Sequence, residues 1–130
     1  MSNRSGNNLG LQGEKAAVRF LQTQGYRILA TQHRNSFGEI DIIAETGKTT
    51  IFVEVKTRSS DNDGLPFESV NRLRQDRMSR AALVWLKQNR RLDQPCRLDI
   101  ISILWKDPQS APEITHYPNA FEPSARGQFF

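Results

Sequence analysis

Apolar residues recur at helical spacing in two stretches of the chain, and each stretch predicts an amphipathic helix. The first covers 9–24 and is followed by Gly25, a residue that favours the left-handed conformation just after a helix. The second covers 68–89. The first stripe consists of Ala17, Val18 and Leu21, and the second of Val70, Leu73, Ala81, Ala82 and Trp85.

Alternation of apolar and polar residues predicts the strands. Residues 45–48 form a turn signal between the second and third strands, so these two should form an antiparallel hairpin. A meander that gains a further strand after a crossover helix gives a mixed central sheet flanked by helices, an α/β (α+β) fold. The predicted strands are 26–31, 39–44, 50–57, 97–104 and 114–117.

The length of 130 residues predicts a single domain over 1–130. Residues 1–8 and 122–130 are expected to be loose tails, and 59–66 a polar loop. No run of eighteen apolar residues exists, which excludes a membrane-spanning helix, and the first residues lack the apolar stretch of a secretory signal. The single cysteine, Cys96, excludes an internal disulfide and a thiolate metal site. We therefore expect a cytoplasmic protein with no membrane partner.

The net charge is +4, and its distribution is uneven. Residues 69–91 carry seven basic side chains and one acidic side chain, Asp76. A concentrated basic stretch indicates a polyanionic partner such as a nucleic acid. The alternative is an ordinary solvated helix face.

Asp41, Glu54 and Lys56 are the candidate chemical groups. Glu54 and Lys56 are two residues apart in a strand, so their side chains point to one face. If the hairpin turn is at 47–48, Asp41 lies opposite Glu54; in the other register it lies opposite Phe52. Both registers place Asp41 on the face of Glu54 and Lys56.

Two carboxylates on otherwise apolar strands need an explanation, because buried charges are costly to desolvate and neighbouring carboxylates repel unless a cation intervenes. Lys56 can neutralise one of them, and a divalent metal can neutralise both. The alternative is a charge cluster on an exposed sheet face. Glu14 lies beside the apolar stripe of the first helix, where it could add a third acidic group or merely complement the helix dipole.

The segments GEIDIIA (38–44) and FVEVKTR (52–58) resemble the core of the PD-(D/E)xK nuclease superfamily. The whole chain, over about 9–121, resembles the YraN-type family of uncharacterised bacterial proteins, which is distantly similar to archaeal Holliday junction resolvases. The other matching segments are Leu9-Gly10 with Gly13-Glu14, 25–29, Arg34, 97–101 and 119–121.

This resemblance implies a restriction-endonuclease-like fold and a Mg²⁺- or Mn²⁺-dependent endonuclease acting on DNA. Asp41 and Glu54 would be metal ligands, joined by a nearby carbonyl such as that of Val55. Lys56 would lie near the attacking water, and Glu14 would be the acidic residue on the helix. The residues expected to hold the nucleic-acid backbone are Arg34, Arg58, Arg72, Arg74 and Arg77.

One departure from the family is visible at 71–75, where relatives commonly carry a lysine and this chain has arginines. Arginine binds phosphate well but cannot take part in proton transfer. Two other functions stay open: a nucleic-acid-binding module with weak or no cleavage, and a protein-interaction domain. A resolvase makes paired cuts, which would require a homodimer.

Overall fold

A computed structural model describes residues 5–59 and 72–122 of the chain. Two helices and five strands follow one another in the predicted order. They are α1 (Ser5–Thr23), β1 (Arg27–Asn35), β2 (Gly38–Thr46), β3 (Thr49–Arg58), α2 (Arg72–Gln88), β4 (Cys96–Leu104) and β5 (Glu113–Tyr117).

The five strands form one mixed sheet in the order β1-β2-β3-β4-β5. Neighbouring strands are antiparallel except β3 and β4, which are parallel and are connected through α2. A parallel pair needs such a crossover, since a tight turn can only join antiparallel strands. The predicted α+β fold is confirmed, and its arrangement is consistent with a restriction-endonuclease-like sheet.

Helix α1 ends where the glycine signal predicted. Gly25 has φ +93°, and Tyr26 N–H donates to the carbonyl of Leu21 at 2.9 Å. A glycine adopts this left-handed conformation without the strain that a side chain would add. The helix begins at Ser5, four residues earlier than predicted.

Each helix covers one face of the sheet. On one face α2 packs its buried side chains Met78, Ala81, Ala82, Leu83, Trp85 and Leu86 on the sheet residues Ile40, Ile43, Phe52 and Leu98. On the other face α1 contributes Ala16, Ala17 and Leu21 against Ile42, Ala44, Ile51, Val53, Ile101 and Ile103. The sheet is therefore buried on both sides, which explains why β3 and β4 have almost continuous apolar sequences.

The periodicity of α2 predicted one position wrongly. Leu73 was expected on the apolar face, but it is 58% exposed, and among the described residues of α2 burial begins at Met78. The other predicted residue of this stripe at the start of the helix, Val70, lies outside the described residues, as do 60–66 of the predicted loop. Neither described helix is long and apolar enough to cross a membrane.

Candidate functional site

The β2–β3 hairpin sets the position of the candidate site. Its turn consists of Gly47 and Lys48, with Thr46 paired to Thr49 and Ile42 to Val53. In this register Asp41 and Glu54 lie opposite each other, one position beyond Ile42 and Val53, the last pair of the ladder. The two strands separate at this point, so the site lies where the hairpin opens.

Asp41 reaches the site through an irregularity in β2. Ile40 packs on the α2 face, whereas Ile42 packs on the α1 face, so the regular alternation of side chains is broken at Asp41. Instead of standing on one face, the carboxylate turns toward β3, and its Oδ2 accepts a hydrogen bond from Val55 N–H at 2.8 Å. The expectation of a shared face from strict alternation was therefore too simple, although Asp41 does meet β3 between Glu54 and Lys56.

The environment of Asp41 raises its pKa to about 7. Burial is the largest cause, and the neighbouring Glu54 charge is the second, with a smaller contribution from Glu14. The Val55 hydrogen bond and the Arg74 charge act in the opposite direction. The effects that raise the pKa outweigh those that lower it, so the positive charge near Asp41 does not fully compensate the negative charge. Such a site favours the binding of a cation.

Glu54 is buried and is held by two cationic side chains. Arg74 from α2 donates from Nε at 2.9 Å and from Nη2 at 2.6 Å to the same oxygen, Oε2. Lys56 Nζ lies 3.4 Å from this oxygen. Glu54 thus connects the centre of the sheet to the first turn of α2.

Glu14 lies above the opening of the hairpin because α1 approaches β3 very closely. A Cβ added to Gly13 would overlap Thr57 Oγ1 and come within 2.9 Å of Thr57 Cβ and Cγ2, so only glycine permits this approach. Burial raises the pKa of Glu14, and a hydrogen bond from the Gln32 side chain partly offsets this effect. Glu14 therefore stands near Asp41 as a second acidic group.

Gln32 is a site residue that the sequence did not reveal. It has φ +50° in the middle of β1, an uncommon conformation for a residue that is neither Gly, Asn nor Asp. Local strain of this kind accumulates at functional sites. No sequence signal marks it, because a glutamine within an exposed strand is ordinary.

Two hollows contain the residues of the site. One, of about 600 Å³, is lined by α1 and the ends of β2 and β3, and it contains Glu14, Gln32, Asp41, Val55 and Lys56. The other, of about 700 Å³, is a cleft between the β1–β2 turn and α2, and Glu54 lies in it. Asp41 and Lys56 therefore line the first hollow and Glu54 the second, while Lys56 Nζ lies 3.4 Å from Glu54 Oε2 and the charge of Glu54 acts on Asp41.

The predicted backbone-binding arginines do not form a single surface. Arg34, Arg74 and Arg77 line the cleft beside Glu54, and Arg34 also pairs with Glu39 at 2.6 Å. Arg72 is exposed at the start of α2 and Arg58 is half-buried at the end of β3. The basic residues of 69–91 are therefore divided, since Arg91 at the far end pairs with Glu45 at 2.6 Å and lies over Trp85.

Across 5–59 and 72–122, no three His, Cys, Asp or Glu side chains lie close enough together to hold a metal ion by themselves. Glu14 is therefore not a third ligand alongside Asp41 and Glu54 in this arrangement. A metal at this site would depend on two carboxylates together with backbone oxygen or water.

Asp99 belongs to a separate polar cluster between β4 and β5. It is fully buried and accepts bonds from Arg97 at 2.9 and 3.1 Å and from Asn119 N–H at 2.8 Å. His116 Nε2 lies 2.7 Å from its Oδ2. These contacts fasten β5 and the segment after it to β4.

Sequence comparison assigns the chain to a protein family. The chain matches the model of the uncharacterised protein family UPF0102 over residues 13–103, which include Glu14, Asp41, Glu54 and Lys56. The protein belongs to this family.

Relatives of the UPF0102 family match nearly the whole chain. A UPF0102 protein of Geobacter metallireducens is 47% identical over 115 residues, covering 88% of this chain and 93% of the relative. A UPF0102 protein of Geotalea uraniireducens is 46% identical, with 88% and 90% covered. One of Thermodesulfovibrio yellowstonii is 42% identical, with 87% and 95% covered.

Proposed function

We propose that this protein is a nucleic-acid-binding, metal-dependent endonuclease that hydrolyses phosphodiester bonds of DNA in the cytoplasm. The observation that carries the proposal is the surroundings of Asp41. Its carboxylate is bonded to Val55 N–H at 2.8 Å, lies in the field of Glu54 and Glu14, and has a pKa raised to about 7. A half-buried acid with a raised pKa, placed among other acids and near a lysine, is characteristic of a functional site.

The donor set fits Mg²⁺ or Mn²⁺. Asp41, Glu54 and the Val55 carbonyl offer hard oxygen ligands, which such ions prefer. The hydrogen bond from Val55 N–H engages Asp41 Oδ2, and within 5–59 and 72–122 no group donates to Oδ1. A divalent cation held there supplies Lewis-acid polarisation of the phosphate and lowers the pKa of bound water.

Side chains of the protein would orient the water, transfer the proton and bind the DNA backbone. Lys56, 3.4 Å from Glu54, would orient the attacking water and stabilise negative charge that develops on the phosphate. Glu14 would hold or release a proton at the same hollow, because burial has raised its pKa. Arg34, Arg72 and Arg77 would bind backbone phosphates, giving salt-sensitive affinity with little base preference.

The decisive test is cleavage of linear, nicked and branched DNA with Mg²⁺ or Mn²⁺, with EDTA as the blank. Branched DNA is included because the resolvase resemblance favours it, and a homodimer would accompany paired cuts. Asp41→Asn and Glu54→Gln should each reduce cleavage at least about 100-fold while DNA affinity changes little. Asp93→Asn, at an exposed position away from the site, is the matched control. Unchanged cleavage in both site variants would reject the proposal.

A second function, a binding module without cleavage, is favoured by the contacts of Glu54. Because Arg74 and Lys56 already neutralise this carboxylate, a cation must compete with them for it. Titration of Mn²⁺ by calorimetry distinguishes the two functions. In the nuclease, Arg74→Ala should tighten Mn²⁺ binding relative to the parent chain; in the binding module, neither protein takes up Mn²⁺ at millimolar concentration.

A further inference from the structure

The cleft beside Glu54 carries two exposed apolar side chains on opposite walls. Phe37, in the turn between β1 and β2, is 39% exposed, and Leu73, in the first turn of α2, is 58% exposed. Arg77 and Arg74 line the same cleft. Apolar surface and arginine are therefore presented together, a combination that suits a ligand with a flat apolar part and an anionic part.

Phe37 is held firmly for a residue in a surface turn. Its N–H donates to Asn35 Oδ1 at 3.1 Å, and Asn35 Nδ2 donates to the carbonyl of Ala81 on α2 at 3.1 Å. One asparagine thus fixes the turn and ties it to the helix that forms the other wall. The backbone that carries the ring is held in place before any ligand arrives, which reduces the entropy lost on binding.

Phe37 keeps 39% of its surface exposed, so packing within the fold does not use the whole of this side chain. An exposed ring on an anchored backbone is what nucleic-acid-binding proteins use as a stacking platform for unpaired bases. Arginine adds stacking and phosphate binding next to such a ring.

We propose that this cleft binds one unpaired nucleotide of a DNA strand, with its base stacked on Phe37 and its phosphate near Arg77. The cleft volume of about 700 Å³ lies within the range of about 300–1,000 Å³ typical of small-ligand sites, which fits a single nucleotide rather than a duplex. The inference rests on the proposed function and narrows its substrate to DNA with a gap, flap or single-stranded end.

The position of the cleft explains why an unpaired base would matter. Glu54 lies in the cleft, and Asp41 lies on the other side of the same hairpin opening. A base held on Phe37 would therefore fix the strand next to the carboxylates. Base pairing would prevent this contact, because a stacked and paired base cannot also stack on a protein ring without leaving the duplex.

The test compares binding in EDTA, where cleavage cannot interfere. Fluorescence anisotropy gives the Kd for a duplex and for the same duplex with a one-nucleotide gap opposite an unpaired base. The parent chain should bind the gapped DNA about tenfold more tightly, as expected for one stacked base. Phe37→Leu keeps apolar bulk but removes the ring, so it should abolish this preference without changing the duplex Kd. Phe37→Trp should retain the preference.

An abasic nucleotide at the unpaired position provides an independent control. It removes the base and keeps the phosphate, so it should reproduce the effect of Phe37→Leu, and the two changes together should do no more than either alone. Equal affinity of the parent chain for both DNAs, or a preference that survives Phe37→Leu, would overturn the inference while leaving the proposed function intact. A changed oligomeric state in Phe37→Leu would also overturn it, since Phe37 would then be a protein contact. Absence of binding to either DNA would instead reject the proposed function itself.

Discussion

Asp41 and Asp99 are both aspartates within the same sheet, but their surroundings act on the two carboxyl groups in opposite directions. Around Asp41, burial and neighbouring negative charge outweigh the single hydrogen bond, and the pKa rises to about 7. Burial also acts to raise the pKa of Asp99, but bonds from His116, Arg97 and Asn119 outweigh it, and the pKa falls below its ordinary value. The same substitution by asparagine should therefore have opposite consequences at the two positions.

Asp41→Asn should stabilise the protein at alkaline pH. With a folded-state pKa near 7, above an unfolded-state value of about 4, the folded state prefers the protonated acid. Its contribution to stability is full below about pH 4 and is lost as the pH rises through 7. Urea unfolding should show a gain of about 1–4 kcal/mol for the variant at pH 8 and almost none at pH 4. A difference that does not vary with pH would contradict this account.

Asp99→Asn should destabilise the protein at neutral pH. Removing the charge from a buried, fully bonded carboxylate leaves Arg97 with a weakened partner, at a cost of about 3 kcal/mol. Because the pKa of Asp99 is lowered, its contribution is present above about pH 4 and is lost as the pH falls through the folded-state value. The measured loss should therefore shrink in acid. A stability equal to that of the parent chain at pH 7 would show that the ion pairs contribute nothing.

At the scale of elements, the closest contact between layers is the approach of α1 to β3 at Gly13. A methyl group at this position would collide with Thr57, and the helix would have to move away from the sheet. Gly13→Ala should therefore lower the unfolding free energy by about 1–3 kcal/mol, despite the better helix propensity of alanine. Because Glu14 is the next residue, the shift should also lower the pKa of Asp41.

Gly10→Ala is the matched control for this prediction. It lies in the same helix with no atom within 4 Å of an added Cβ, so it should stabilise the protein by about 0.5–1 kcal/mol. Thermal and urea unfolding of both variants measure the contrast. Thr57→Ala combined with Gly13→Ala should recover part of the loss, and equal effects of the two glycine substitutions would refute the close approach.

The elements themselves were predictable because periodicity reports local geometry. The alternating segments, the turn between β2 and β3 and the Gly25 helix end follow from rules that involve a few neighbouring residues. The exposure of Leu73 was not predictable, since periodicity does not show at which residue a helix begins to pack on the sheet. The irregularity at Asp41 and the left-handed Gln32 depend on contacts between separate strands, which no local pattern contains.

At the scale of the whole molecule, the position of the charge matters more than its sum. Arg77 lines the cleft beside Glu54, whereas Lys87 is exposed in the last turn of α2, ten residues and about 15 Å further along the helix. Both residues contribute equally to the net charge of +4. A nucleic acid bound at the cleft would distinguish them.

Arg77→Glu and Lys87→Glu therefore form a matched pair, since each removes two units of charge. We expect Arg77→Glu to weaken DNA binding at least about tenfold and to reduce the salt dependence by roughly one phosphate contact, and Lys87→Glu to have a small effect. Anisotropy titrations at several salt concentrations measure both quantities. Equal weakening by both variants would mean that the whole field, rather than the cleft, attracts the nucleic acid.

The hydrogen bond from Val55 N–H to Asp41 makes one backbone amide an indicator of the site. A carboxylate accepts this bond more strongly than a carboxylic acid, so the proton resonance of the Val55 amide should move downfield as Asp41 ionises. A cation that withdraws charge from Asp41 should shift it back. A single peak in an NMR spectrum of the uniformly labelled protein can thus follow protonation, metal binding and ligand arrival at the same atom, without any attached probe.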